Sequence, residues 1–423
     1  MNPEIKQRID QIRRGEVPEG YKKTKAGIVP VEWEECHFKK LFSRLKRKNT
    51  ENNSNVLTIS AQYGLINQEE FFNKPVASDD KSNYYLLYKG DFAYNKSYST
   101  GYPFGAIKSL ERYDKGVVSP LYICFSPTDK NKCPVFYLQY FENGLMNHEI
   151  KAIAQEGARN HGLLNIGIDD FFNSYLIVPP LPEQQKIAEI LSTQDKLIEL
   201  QARKIEQLQA LKKACLQRMF PKKGCDRPEI RFPEFTDAWE QRKLGECVTI
   251  TSGEAPSKFK HGSVNYVKVD DLNYAYKTVV DTQNKVSDNP SMSKVKVGSV
   301  IFPKRGAAIL TNKVRILGVE SYMDTNMMAL TATSLDSDFL YVLISKEGLY
   351  KIADTSTIPQ INNKHIEPYE VIVPTLDEQK CIGELFAHLD HLITLHQRKL
   401  DEEKQKKKAL MQLLLTGIVR VKV

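Results

Sequence analysis

Two long stretches of the chain carry apolar residues at mostly three-, four- and seven-residue intervals, the signature of one buried helix face. The first holds Ile187, Ile190, Leu191, Leu197, Ile198, Ile205, Leu208, Leu211, Cys215, Leu216 and Met219, with no Gly or Pro before Pro221. The second holds Ile382, Leu385, Phe386, Leu389, Leu392, Ile393, Leu400, Leu410, Leu413 and Leu414, and Gly417 closes it. Each opens on a helix-start signal, Pro182 or Asp377, followed by Glu183-Gln184 or Glu378-Gln379, carboxylates that suit the positive end of the helix dipole. A helix from Glu183 to Met219 would span about 55 Å. Each stripe needs a partner, and burying one against the other is the economical solution. The run Asp401–Lys408 (DEEKQKKK) has no apolar residue, so the seam is expected to loosen there or to meet another protein.

The two stretches belong to a repeat. Val178-Pro-Pro-Leu-Pro-Glu-Gln-Gln-Lys-Ile187 recurs as Val373-Pro-Thr-Leu-Asp-Glu-Gln-Lys-Cys-Ile382, an offset of 195 residues, and the register persists from Asp195 and Asp390 to Lys213-Ala214 and Lys408-Ala409. The two tryptophans, in Trp33-Glu34 and Trp239-Glu240, mark the entrance to each half, and Gly90-Asp-Phe-Ala-Tyr-Asn-Lys96 echoes Gly298-Ser-Val-Ile-Phe-Pro-Lys304. A period this long is a domain duplication, since solenoid repeats run about 20 to 50 residues.

Between these markers, β-like runs (VVSPLYICF from Val117, SVIF from Ser299, VIVP from Val371) mix with short helical ones, which predicts α/β (mixed α+β) domains. The expected organisation is an N-terminal segment (1–30), a globular domain (31–180), a helix (181–220), a linker (221–232), a second globular domain (233–375), a helix (376–417) and a tail (418–423). Two joined homologous halves behave like a homodimer, so a pseudo-two-fold arrangement with antiparallel helices is expected.

Composition narrows the class only modestly. Lys plus Arg number 60 against 52 Asp plus Glu, a net charge of +8 that is compatible with nucleic acid without demonstrating it. Seven cysteines without a CxxC pair suggest neither a disulfide framework nor a zinc site. The charged N-terminus lacks a signal-peptide core and no apolar run approaches ~18 residues, so a cytoplasmic protein without a membrane span is expected. No GxxxxGK[ST] phosphate loop, [DNS]PP[YF] tetrapeptide or glycine-rich cofactor loop is present.

The paired P-x-L-x-E-Q helix starts, both Trp-Glu markers, the run ending at Lys96 and the terminal Leu415-Thr-Gly-Ile-Val-Arg420 resemble the specificity (S) subunits of type I restriction-modification systems. The resemblance extends over essentially the whole chain. It implies two target recognition domains, each reading one part of a split, asymmetric double-stranded DNA sequence, with the helices setting the unread gap. It also implies docking of two adenine-methylating M subunits and, through the complex, of restriction (R) subunits. This chain would be non-catalytic and bind no cofactor, with S-adenosylmethionine, ATP and magnesium on its partners. A fused restriction or methyltransferase enzyme with an unrecognised site, and a coiled-coil scaffold without DNA function, remain as alternatives.

Base edges are read by side chains with paired donors and acceptors, chiefly Arg or Lys for guanine and Asn or Gln for adenine. In the first domain Asn95, Lys96, Ser97, Tyr98 and Tyr102 qualify, with Arg159, Asn160 and His161 in a second polar loop. In the second domain the candidates are Lys304, Arg305, Asn312, Lys313, Arg315, Gln360, Asn362, Asn363 and Lys364. Helix pairing and subunit docking are expected at Glu183, Gln184, Ile187, Leu191, Ile198, Ile205, Leu208, Glu378, Gln379, Ile382, Leu385, Leu389 and Leu392. The acid pairs Asp79-Asp80, Asp169-Asp170 and Asp270-Asp271, together with His148, read as ordinary loop and cap residues, and Lys406–Lys408 as a wet helix face.

Overall fold

The computed structural model describes residues 3–60, 64–73, 80–99, 101–128, 133–154, 164–355 and 358–422. Its helices include α1 (Pro134–Glu142), α2 (Leu181–Arg218), α3 (Ser337–Glu347) and α4 (Leu376–Leu414). The chain forms two compact units, residues 1–199 with 401–423, and residues 200–400. Each unit therefore takes the first half of one long helix and the last half of the other. Among the described residues no helix is long and apolar enough to cross a membrane.

In the first unit, β1 (Phe42–Arg44), β2 (Phe92–Asn95), β3 (Ala106–Ser109) and β4 (Ile123–Pro127) form an antiparallel sheet in the order β1-β4-β2-β3. Phe38 anchors an aromatic core, with ring centroids 4.7 Å from Phe42, 4.9 Å from Phe125 and 4.7 Å from Phe171. The apolar run from Val117 is not one strand but two, Lys115–Val118 and β4, split by a turn in which the Tyr122 N–H donates to the Ser119 carbonyl (3.1 Å). Pro120 lies inside that turn and has no N–H with which to continue a ladder.

The second unit centres on β5 (Val248–Ser252), β6 (Thr278–Val279), β7 (Val300–Pro303), β8 (Arg315–Leu317) and β9 (Met327–Ala332), ordered β5-β9-β7-β8-β6. Within this sheet only the β6–β8 pair is parallel. Each globular domain is closed where the chain enters and leaves it: Glu34–His37 pairs antiparallel with Tyr175–Val178, and Glu240–Lys243 with Glu370–Val373. The two echoing runs do become equivalent strands, β2 and β7.

Within the first unit Ile187, Ala188 and Leu191 of α2 share a core with Met411 and Leu414 of α4, so the helices run antiparallel. The next rungs are polar. Gln194 donates to the Glu403 carbonyl (3.2 Å) and carboxylate, and Lys407 pairs with Asp195 at 2.6 Å. Within the second unit Lys212 pairs with Asp390 at 2.5 Å, the same Asp–Lys rung with its partners exchanged between repeats, since Asp195 matches Asp390 and Lys212 matches Lys407. Gln201 and His396, themselves equivalent positions, touch at 2.8 Å.

These rungs correct two expectations. The polar run from Asp401 does not loosen the seam: where the second unit buries Leu208 and Leu389, the equivalent positions in the first unit are Glu403 and Gln194, which hydrogen-bond. Leu197 and Leu211, counted in the apolar stripe, are exposed. Over a helix this long, the 3.6-residue turn carries every third or fourth position progressively off one face.

Candidate nucleic-acid interface

The repeated Glu-Gln at each helix start is buried architecture. Gln184 donates to the Pro179 carbonyl and Gln379 to the Pro374 carbonyl, both at 2.9 Å, which fixes the loop that leads out of each globular domain onto its helix. The Gln379 Oε1 also accepts from the Asp336 N–H (3.0 Å) at the start of α3. Glu183 and Glu378 are almost fully buried, and each is met by an arginine from the segment trailing the other helix. Arg231 reaches Glu378 through Nε and Nη2, both at 2.7 Å, and Arg420 reaches Glu183 through Nε (2.6 Å) and Nη2 (2.8 Å). These bidentate contacts hold both guanidiniums in their charged form, raising their pKa values.

The first unit adds a further bond, from Trp33 Nε1–H to Glu183 Oε2 at 3.1 Å. The chain's two ends meet here: Tyr21 donates to the Gly417 carbonyl (2.8 Å) and Arg8 to that of Ile418 (3.0 Å). Gly417 has φ of +73° and lies so close to Pro30 that a Cβ would come within 2.4 Å of its ring. Trp239 makes no equivalent bond, since its buried Nε1 has no partner among the described residues. Trp33→Phe is therefore expected to cost about 1.5 kcal/mol more than Trp239→Phe in a urea melt, the worth of a hydrogen bond to a buried charge. Equal losses would deny Trp33 that role. Neither Arg231 nor Arg420 is among the expected site residues; the signal in the sequence is an isolated Arg between apolar residues, Ile230-Arg-Phe232 and Val419-Arg-Val421.

The candidate reading residues divide into engaged and available ones. The Tyr102 hydroxyl bonds Glu142 (2.8 Å) and Lys108 (3.2 Å), so its polar end is already used in the fold. Arg315 is half-buried, donates to the Ala275 (2.6 Å) and Val314 (2.8 Å) carbonyls, and has its pKa lowered by desolvation. Asn312 sits in the left-handed region (φ 47°) at a helix end and donates to the Ser345 carbonyl (2.9 Å), while Lys313 is bound to Asn273. In these four the polar groups make hydrogen bonds within the fold. The Asn95 Oδ1 accepts from the Ser97 N–H (3.0 Å), shaping the loop in which Tyr98 stands exposed. Arg159, Asn160, His161 and Asp79 lie outside the described residues.

Folding also joins clusters that are remote in sequence. In the first unit the Leu164 N–H donates to the Lys96 carbonyl (3.0 Å); in the second the Ile361 N–H donates to the Lys304 carbonyl (2.9 Å). The lysine that follows each strand thus lies beside the segment leading to the last short helix of its domain. In the second unit this ribbon gathers Arg305, Gln360 and Asn362, with Asn363 and Lys364 exposed on the helix that follows. Lys304 is partly buried, and desolvation lowers its pKa.

Residues 30–210 and 236–405 match the family described as type I restriction modification DNA specificity domain. The chain belongs to that family. Its specificity-family relatives include the putative type I restriction enzyme MjaX specificity subunit of Methanocaldococcus jannaschii, 23% identical over 96% of this chain and 97% of that protein. The MjaVIII specificity subunit of the same organism is 28% identical over 62% of this chain and 66% of its own length. Among solved structures, an S subunit of a type I system from M. genitalium covers 92% of this chain and 97% of its own (TM-score 0.52, 16% identity). A chain from a structure of type I R-M complex assembly covers 92% and 99% (TM-score 0.55, 15% identity), and these likenesses bear on the fold. The chain is a DNA specificity protein of two recognition domains and long connecting helices.

Proposed function

We propose that this chain is the sequence-reading subunit of a type I restriction-modification complex, with each recognition domain reading one part of a bipartite, asymmetric DNA target. The observation that carries this reading is a repeated frame holding unlike surfaces. Both units use the same Glu–Arg clamp, Asp–Lys rung and strand-to-loop ribbon, while the ribbon bears Ser97 in one and Arg305 in the other. Two M subunits, with R subunits joining through them, supply adenine methylation, translocation and cleavage, and S-adenosylmethionine, ATP and magnesium belong to those partners. Purified chain alone should transfer no labelled methyl group to DNA; incorporation without a partner would favour the fused-enzyme alternative.

The long helices set the unread gap. Four residues inserted near the middle of α2 add about one turn and about 6 Å, nearly preserving side-chain phase. With DNA rising about 3.4 Å per base pair, the gap should lengthen by one or two base pairs with both half-sites unchanged. Sequencing methylated sites from cells that carry the insertion checks this. A changed half-site would mean that the helices also read bases.

A further inference from the structure

In the ribbon of the second unit Arg305 pairs with Gln360. The Gly306 N–H donates to the Pro359 carbonyl (2.8 Å) and the Ile361 N–H to the Lys304 carbonyl (2.9 Å). Those two bonds make Arg305 and Gln360 directly opposed residues of the non-hydrogen-bonded kind, the antiparallel pair whose side chains lie closest and project from the same face. Gln360 is fixed on its other edge as well, exchanging both backbone bonds with Asp354 at 2.9 Å each. The main chain beneath this pair is therefore held from both sides.

Arg305 is exposed and forms no ion pair among the described residues, leaving its planar donor fork unused. The Gln360 Nε2 donates one hydrogen to the Asn362 Oδ1 (3.0 Å), which sets the plane of the amide. The second Nε2 hydrogen and Oε1 remain for another partner. A guanidinium fork matches guanine O6 and N7, and an amide with one free donor and one free acceptor matches adenine N7 and N6. Opposed side chains start about 4.5–5.5 Å apart, and base pairs stack about 3.4 Å apart, so tips that converge slightly meet neighbouring pairs.

We propose that Arg305 and Gln360 are the specificity-determining pair of the second unit, Arg305 reading a guanine and Gln360 an adenine on the adjacent base pair. This rests on the sequence-reading function proposed above. It also explains why the same place in the first unit, where Ser97 follows Lys96, carries different chemistry: the ribbon is common scaffold and its opposed side chains are the variable part.

The test uses the full chain expressed with its methyltransferase partner, as wild type, Arg305→Ala, Arg305→Lys and Gln360→Ala. Methylated sites are sequenced, and the purified complexes are titrated against duplexes with single base-pair changes. Arg305→Ala should relax one guanine position and Gln360→Ala the neighbouring adenine, each lowering discrimination roughly 5- to 150-fold, with the other half-site unchanged. Arg305→Lys keeps the charge but loses the fork, so it should retain binding and still relax the guanine. Methylation at an unaltered site by the alanine variants would overturn the pair while leaving the sequence-reading function intact, as would relaxation at separated positions or in both half-sites. A wild-type chain that directs no site-specific methylation would overturn both.

Discussion

Arg231→Ala should destabilise the second unit by about 3–5 kcal/mol, the range for removing one partner of a buried ion pair. The loss is large because Glu378 is 1% exposed and both of its oxygens are bonded to that one guanidinium, so the variant leaves a carboxylate with neither water nor a cation. At roughly 2–4 °C per kcal/mol for a unit of this size, the melting temperature should fall by about 10 °C. Fluorescence of Trp239 in a Trp33→Phe background reports it, since Trp239 packs on Phe220 (5.7 Å) in the same unit. Arg231→Met combined with Glu378→Leu should recover most of the loss, because an apolar pair removes the buried charge altogether. A single variant melting within 1–2 °C of wild type would show that the clamp does not hold the unit.

Arg420→Ala should cost less, about 2–3 kcal/mol, although it breaks the equivalent clamp. Glu183 keeps the Trp33 N–H, and Arg420 is 34% exposed, so water can take part of its place. Ending the chain at Thr416 should cost more than the single substitution. It also removes the Gly417 and Ile418 carbonyls that accept from Tyr21 and Arg8, the bonds that hold the N-terminal segment. Limited proteolysis distinguishes the two: the truncated chain should be cut early within residues 14–30, and the Arg420→Ala chain later. Equal resistance in both would remove the tail from its anchoring role.

What could be read from the sequence was whatever repeats. Both long helices begin within one residue of their start signals, and the equivalence of the strands ending at Pro303 and Asn95 was visible in the echoing runs. Choices of partner were not readable, because they are made across hundreds of residues. The run from Asp401 reads as a gap in an apolar stripe, because its partners Gln194 and Asp195 come from the other long helix. Arg315, Asn312 and Tyr102 have the chemistry of base readers, but each lies near an internal carbonyl or carboxylate that engages it first. The ribbon joining Arg305 to Gln360 spans 55 residues of sequence, and no local pattern announces it.

The central claim, that this chain supplies sequence choice to a methylating complex, is met most directly by sequencing the methylated adenines of cells expressing the partner M subunit with and without it. With the chain present, methylation should appear at one split, asymmetric motif; without it, that motif should be unmodified. An identical methylation pattern in both would contradict the claim.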